Sequence, residues 1–202
     1  MRCKSLKMTE TDRLQFVFKE FSAMSESAFK LSDGLWYEKP IKKGELFNDY
    51  KNVCKELGFI LKGTFRSYII DSESGEDKNI FFYSENGFVS AYKSFVNQIP
   101  CEYYTEALTD SKIVCINHSS LHKLYRESHE WECFGRKAAE MAASVVIQRV
   151  ESFLLQSPEQ RYLELVKTHP ELHDIIPLYH ISSYLGIQGP SLSRIRKRLV
   201  GK

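Results

Sequence analysis

A chain of 202 residues, 43% hydrophobic and 13% aromatic, carries enough apolar side chains to bury a sizeable core, in one large domain or two small ones. Its formal charge of +2 is unevenly placed: the last 28 residues hold Arg194, Arg196, Lys197, Arg198 and Lys202 and no acid, leaving 23 basic against 26 acidic residues before them, which predicts an acidic partner for the C-terminal end. No apolar run approaches the roughly 18 residues of a spanning helix and no hydrophobic stretch follows Met1, so a cytoplasmic protein is expected.

In chain order, Thr11 to Lys30 has Leu14, Phe16, Val17, Phe18, Phe21, Met24 and Phe29 mostly at helical spacing, which predicts one helix capped by Thr11 or Asp12. From Leu35 to Asn117, short runs rich in Phe, Tyr, Ile and Val alternate with turn signals at Lys43-Gly44, Lys62-Gly63, Asp71 to Asp77 and Glu85-Asn86-Gly87. Short strands at such spacing predict a β-sandwich or roll. Within it, Phe81-Phe82-Tyr83 with Tyr103 and Tyr104 are either core or the lining of a small-molecule pocket.

After Ile116 the pattern is helical again. Phe134, Ala138, Met141, Val145, Gln148 and Ser152 fall near a heptad stripe on a helix from about Ser128 to Gln156, and Ala138, Ala142, Ala143 and Ser144 give it a surface that a second helix can approach closely. A symmetric dimer is expected there, with packing on the sandwich as the alternative. Ser157-Pro158-Glu159 then supplies a cap, a first-turn proline and an acid for a helix over about Glu159 to Lys167; His169-Pro170 stops it, and Pro177 opens another through Leu185.

The segment "SSYLGIQGPSLSRIRKRL" poses a choice between a helix-turn-helix and a basic amphipathic tail. Gly186 supplies the turn, Ile187 a plug between the helices, and Gly189-Pro190 a cap and first helical position. Leu192, Ile195 and Leu199 form a buried stripe, and the other face presents Ser191, Arg194 and Arg198 with Arg196 and Lys197 at its flanks. Arginine can bond guanine bidentately and lysine and serine satisfy phosphates, so a major-groove reading helix is expected, with Gln188, Ser191, Ser193, Arg194, Arg196, Lys197 and Arg198 as the DNA-contacting set.

Other chemistries find less support. Cys3, Cys54, Cys101, Cys115 and Cys133 are odd in number and scattered, which suits reduced thiols. His118 and His122, and His129 and Cys133, are four apart, but with Cys115 in a buried strand no metal site is expected. There is no glycine-rich phosphate loop and no G-x-S-x-G, and no histidine is placed with an obvious nucleophile and an orienting acid, so the chain does not read as an enzyme and no cofactor is expected.

A β-roll, a long helix and a C-terminal "LGI…SLSRIRKRL" together resemble the Crp/Fnr family of bacterial transcription regulators, most specifically through "QSPEQRYLELVKTHPEL" and "IPLYHISSYLGI", and in the roll through "IKKGELF" and "GFILKGTFRSYI". The resemblance implies a sensor roll, a dimerising helix and a winged-helix-type DNA-binding domain, with RNA polymerase as a further partner. It also aligns "GFVSAYKSFVNQIPCEYY" with the cyclic-nucleotide cassette, placing Ala91 at the ribose-binding glutamate, Cys101 at the phosphate-binding arginine and Glu102 at its neighbouring serine. Cyclic AMP or GMP is therefore not the expected effector. The iron-sulfur sensors of the family cluster several cysteines near the N-terminus, where this chain has Cys3 alone. Gly189 and Pro190 stand where the family often has polar or charged residues, which leaves Arg194 at a typical base-reading position, and wing strands are not expected after Lys202.

The expected fold is thus α+β: an N-terminal double-stranded β-helix or jelly-roll-like β-roll (1–127), a dimerisation helix (128–156) and a helix-turn-helix domain (157–202). The expected function is a homodimeric, sequence-specific transcription regulator with an unknown small-molecule effector or none. The alternative is a ligand-binding or protein-interaction module with a degenerate DNA-binding domain.

Overall fold

The computed structural model describes residues 9–170 and 175–200. Cys3 lies outside these. Helix α1 (Glu10–Ser22) starts two residues before the expected cap, where Thr9 Oγ1 accepts the Asp12 N–H at 3.1 Å and the Asp12 carboxylate accepts the Thr9 N–H at 2.9 Å. A single helix to Lys30 does not form. Ala23 turns left-handed at φ 58°, and Ser25 caps a separate α2 (Glu26–Lys30). The reason is reach: along one straight helix Phe29 would stand about 16 Å beyond Phe18, whereas the break brings their rings to 5.7 Å in one core.

Eight strands follow: β1 (Tyr37–Ile41), β2 (Leu46–Asn48), β3 (Glu56–Lys62), β4 (Phe65–Ile70), β5 (Asp77–Tyr83), β6 (Phe88–Val89), β7 (Tyr104–Ala107) and β8 (Ser111–Asn117). They build two four-stranded antiparallel sheets, ordered β1-β8-β3-β6 and β2-β7-β4-β5. Gly63 makes the β3 to β4 turn at φ 113°, and any Cβ there would sit 2.0 Å from Ser111 Oγ. Strand β3 is buried along most of its length because both of its faces are covered. Gly58 faces Phe47, Val89 and Ile113 inside the roll, while Phe59 on the other face meets Phe88 at 5.4 Å. Phe88 in turn packs on Phe18 and Phe134, each at 5.6 Å.

A short helix, α3 (Tyr92–Asn97), interrupts the strands in the segment expected to be all β. Asn117 Oδ1 accepts the Ser120 N–H to cap α4 (His118–Glu127), and the 27-residue α5 (His129–Leu155) follows. The root of α5 belongs to the roll. Trp131 and Phe134 are fully buried, Phe134 stacks on Phe18 at 4.4 Å, and the Trp131 indole N–H donates to Ala28 O at 2.8 Å. Phe134 is therefore a core residue and not the first member of an open heptad stripe. Further along, Met141, Val145, Val146, Ile147, Val150, Phe153, Leu154 and Leu155 are all exposed, the last two by 77% and 80%.

The chain then forms a second apolar cluster. Ser157 and Gln160 close a capping box at the start of α6 (Pro158–Thr168), with Pro158 in the first turn. Tyr162, Leu165, Ile176, Ile181, Leu185, Leu192 and Ile195 gather where α6, α7 (Leu178–Leu185) and α8 (Gly189–Val200) meet. Among the described residues no helix is long and apolar enough to cross a membrane.

Candidate nucleic-acid interface

Helix α7 starts at Pro177 and ends at Gly186, whose left-handed φ of 69° returns its N–H to Ser183 O at 3.1 Å. The next N–H, that of Ile187, reaches Ser182 O at 3.0 Å, and Gln188 O accepts the Ser191 N–H at 3.0 Å at the start of α8. Helix α8 opens at Gly189, one residue before Pro190. Leu192 and Ile195 are buried against Leu185, Leu199 packs at their edge, and Ile187 packs between the helices. A closed helix-turn-helix results.

The outer face of α8 has no acid. Gln188, Ser193, Arg194 and Lys197 are exposed, Ser191 and Arg196 are half-buried, and Arg194 Nη2 donates to Ser191 Oγ at 3.2 Å. Arg198 differs from its neighbours because its Nη2 is held by Glu159 of α6 at 2.8 Å. The seven expected residues thus lie on one helix and its entry turn, six of them without a carboxylate partner among the described residues.

Helices α5 and α6 on one side and the β-roll on the other hold α7. From α6, Arg161 donates Nε and Nη2 to Leu185 O at 3.2 and 2.9 Å and Nη1 to Gln156 O at 2.7 Å, satisfying carbonyls that helix ends leave open. The Arg149 guanidinium lies between the rings of Tyr184 (3.6 Å) and Phe153 (4.4 Å) and donates to Tyr184 O. From the roll, Phe82 meets Tyr184 at 5.0 Å and Leu108 joins the C-terminal cluster. Asn79 N–H donates to Ser183 Oγ at 3.0 Å and the Ser183 hydroxyl donates to Asp77 O at 2.6 Å. Arg66, 5% exposed, binds Asp77 at 2.7 Å, Glu106 at 2.7 Å and the His180 ring at 2.9 Å. Of these anchors only the glycine turn was signalled locally; Arg66 and Asn79 lie more than 100 residues from His180.

The cassette positions are occupied internally. Ala91 is fully buried at the start of α3, Ser94 Oγ accepts the Cys54 N–H at 2.9 Å, and Cys101 donates its thiol to Tyr103 O at 3.1 Å. Burial pushes the Cys101 thiol up, so it stays protonated. Glu102 points outward to Lys93 at 2.7 Å. Of the aromatic set, Phe82 serves the contact with α7, Tyr83 bonds Ser67 at 3.1 Å, and Tyr104 stacks on Tyr68 at 5.2 Å. The His118 and His122 rings lie 3.9 Å apart, tilted by 32°, and among the described residues no three His, Cys, Asp or Glu side chains converge as metal ligands do.

No protein-family model matches the sequence, and a search of curated proteins returns no match. Solved structures do match over nearly the whole chain. A transcriptional regulator assigned to the Crp/Fnr family from Eubacterium rectale is 17% identical with a TM-score of 0.71, over 92% of this chain and 88% of that one. FixK2 from Bradyrhizobium japonicum is 16% identical with a TM-score of 0.67, over 82% and 85%. A CooA mutant from Carboxydothermus hydrogenoformans is 11% identical with a TM-score of 0.66, over 96% and 87%. The chain has the fold of the Crp/Fnr regulators: a β-roll followed by a C-terminal helix-turn-helix.

Proposed function

We propose that this chain is a cytoplasmic, homodimeric regulator of transcription that binds DNA sequence-specifically through α8. The observation that carries the reading is the acid-free cationic face of α8, which stands opposite a buried stripe on a helix-turn-helix braced from two sides. Such a face offers Arg194 to base edges and Lys197, Arg196, Ser191, Ser193 and Gln188 to bases and phosphates together. Arg198 contributes to the extent that DNA phosphates displace Glu159.

The exposed apolar face of α5 from Met141 to Leu155 supports the dimer, since a large uncovered apolar stripe on a long helix is ordinarily an interface. Two-fold symmetry then makes the DNA target a pseudo-palindrome with half-site centres about 34 Å apart. With Ala91, Cys101 and Glu102 at the cassette's ligand positions, no arginine fork awaits a cyclic phosphate and Lys93 is paired with Glu102, so the effector is another small molecule or none. Switching is a small rotation of the DNA-binding units as the α5 pair repacks, read out by RNA polymerase.

Selection of duplexes from random DNA by the purified chain without added ligand tests this, followed by a salt titration of the winner. A two-fold symmetric motif with a steep salt slope is the expected result; no enriched sequence would sink the reading.

A further inference from the structure

We infer that the β-roll positions the DNA-reading unit in part through one neutral histidine: Arg66 of β4 and Asn79 of β5 grip His180 of α7, and the hold weakens when His180 takes a proton. Arg66 and His180 are in that sense positioning residues for α8, an inference that rests on the DNA-binding reading above.

The geometry fixes the chemistry of the grip. Arg66 Nη1 lies 2.9 Å and Asn79 Nδ2 3.2 Å from the same ring nitrogen, His180 Nδ1. A guanidinium can only donate, so Nδ1 is the acceptor and the ring carries its hydrogen on Nε2. The Asn79 orientation agrees, because its Oδ1 accepts from Arg66 at 3.3 Å while its amide faces the ring. A proton on Nδ1 would set a third N–H against two donors.

The surroundings offer a protonated ring little compensation. From β4 it faces Arg66, whose guanidinium rests 3.8 Å above the Tyr68 ring; from β5 it faces Asp77 and Asn79; on its own helix the Tyr179 ring lies 4.0 Å away. The Asp77 carboxylate and that of Glu106 on β7 are each bound to Arg66 at 2.7 Å. Burial first and the Arg66 charge second push His180 down to about 4, with Asp77 opposing.

Holding α7 holds α8, because the Gly186 turn is closed by backbone bonds and Leu185, Leu192 and Ile195 share one cluster. The linkage has a definite sign. Released from the roll, His180 ionises near its ordinary value of about 6.5. Its contribution to docking is therefore complete above that value and fades as pH falls from there toward 4. Between pH 7.5 and 5.5 the docking equilibrium weakens about tenfold.

Two readouts on the full chain test this. Histidine ¹⁵N spectra, with the His180 signal identified by its loss in His180→Gln, are expected to show the Nε2–H form persisting well below pH 6; an ordinary titration or the Nδ1–H form overturns the grip. Binding to duplexes whose half-site spacing varies by single base pairs is then compared at pH 7.5 and 5.5. The wild type should discriminate spacings at pH 7.5 and lose severalfold of that discrimination at 5.5. His180→Gln keeps an acceptor without a titrating group and should discriminate at both, whereas His180→Phe keeps only bulk and should discriminate at neither. Wild-type behaviour in His180→Phe, or an undiminished pH effect in His180→Gln, overturns the positioning role. A wild type that selects no duplex defeats the DNA-binding reading and the positioning role with it, while the tautomer still decides whether the grip exists.

Discussion

Glu159, in the first turn of α6, binds Arg198 of α8 at 2.8 Å, so one of the cations facing outward from α8 is already neutralised within the chain. The pair is partly exposed, and its own contribution to stability is no more than about 1 kcal/mol. If α8 enters DNA as proposed, the pair's larger effect is on the duplex. Glu159→Gln should free Arg198 for a phosphate, tighten binding to random and specific duplexes alike, and steepen the dependence of log K on log salt by about one. Fluorescence titrations at several salt concentrations decide it, and an unchanged slope would show that Arg198 reaches DNA despite Glu159.

Arg194 and Lys197 are both exposed on the same face and should separate into two roles. Arg194→Ala is expected to weaken specific binding by about 1–3 kcal/mol and relax the preference at one base position, while Lys197→Ala weakens all sequences and lowers the salt slope by about one. Equal losses on specific and random duplexes for Arg194→Ala would remove it from base reading.

Val150 lies near the middle of the exposed apolar segment of α5. A charge placed there meets its symmetry mate or an apolar neighbour in a dimer, so Val150→Glu should shift sedimentation from dimer to monomer without lowering the melting temperature of the roll. Operator affinity should fall with the dimer. A dimer of unchanged strength would move the interface elsewhere.

Gly186 combines a φ of 69° with a Cβ position 2.8 Å from Phe153 Cε1. Gly186→Ala should cost the helix-turn-helix about 1–2 kcal/mol from the left-handed conformation alone, plus the clash. Adding Phe153→Ala should recover the clash and not the conformational part, a difference that a double-mutant cycle by denaturant titration reads directly.

The C-terminal third was legible in the sequence because its signals are local. Ser157-Pro158-Glu159, Pro177 before α7 and Gly186 after it each act within four residues, and the periodic Leu192 and Ile195 declare their own buried side. The break at Ala23 was not legible, since alanine favours helix and only the distant demand that Phe18 and Phe29 meet enforces the left-handed turn. Phe134 fitted a heptad stripe by spacing, and only the fold shows that its ring belongs to Phe18. The cationic set could be read residue by residue, but the pairing of Arg198 and the bracing of His180 depend on partners from other elements. A buried arginine in a strand reads in sequence as a polar residue on an outer face; Arg66 is instead a hub that Asp77, Glu106, Asn79, His180 and the Tyr68 ring share.

The chain has two tryptophans, and both sit on the same phenylalanine: Trp131 at 5.1 Å and Trp36 at 5.8 Å from Phe18. Intrinsic indole emission is consequently a one-site optical reporter for the junction where the N-terminal helices clasp the root of α5. The C-terminal cluster holds tyrosines and no tryptophan among its described members. A thermal melt in which ellipticity falls before the emission shifts would therefore reveal the helix-turn-helix melting away from an intact roll, with no label attached.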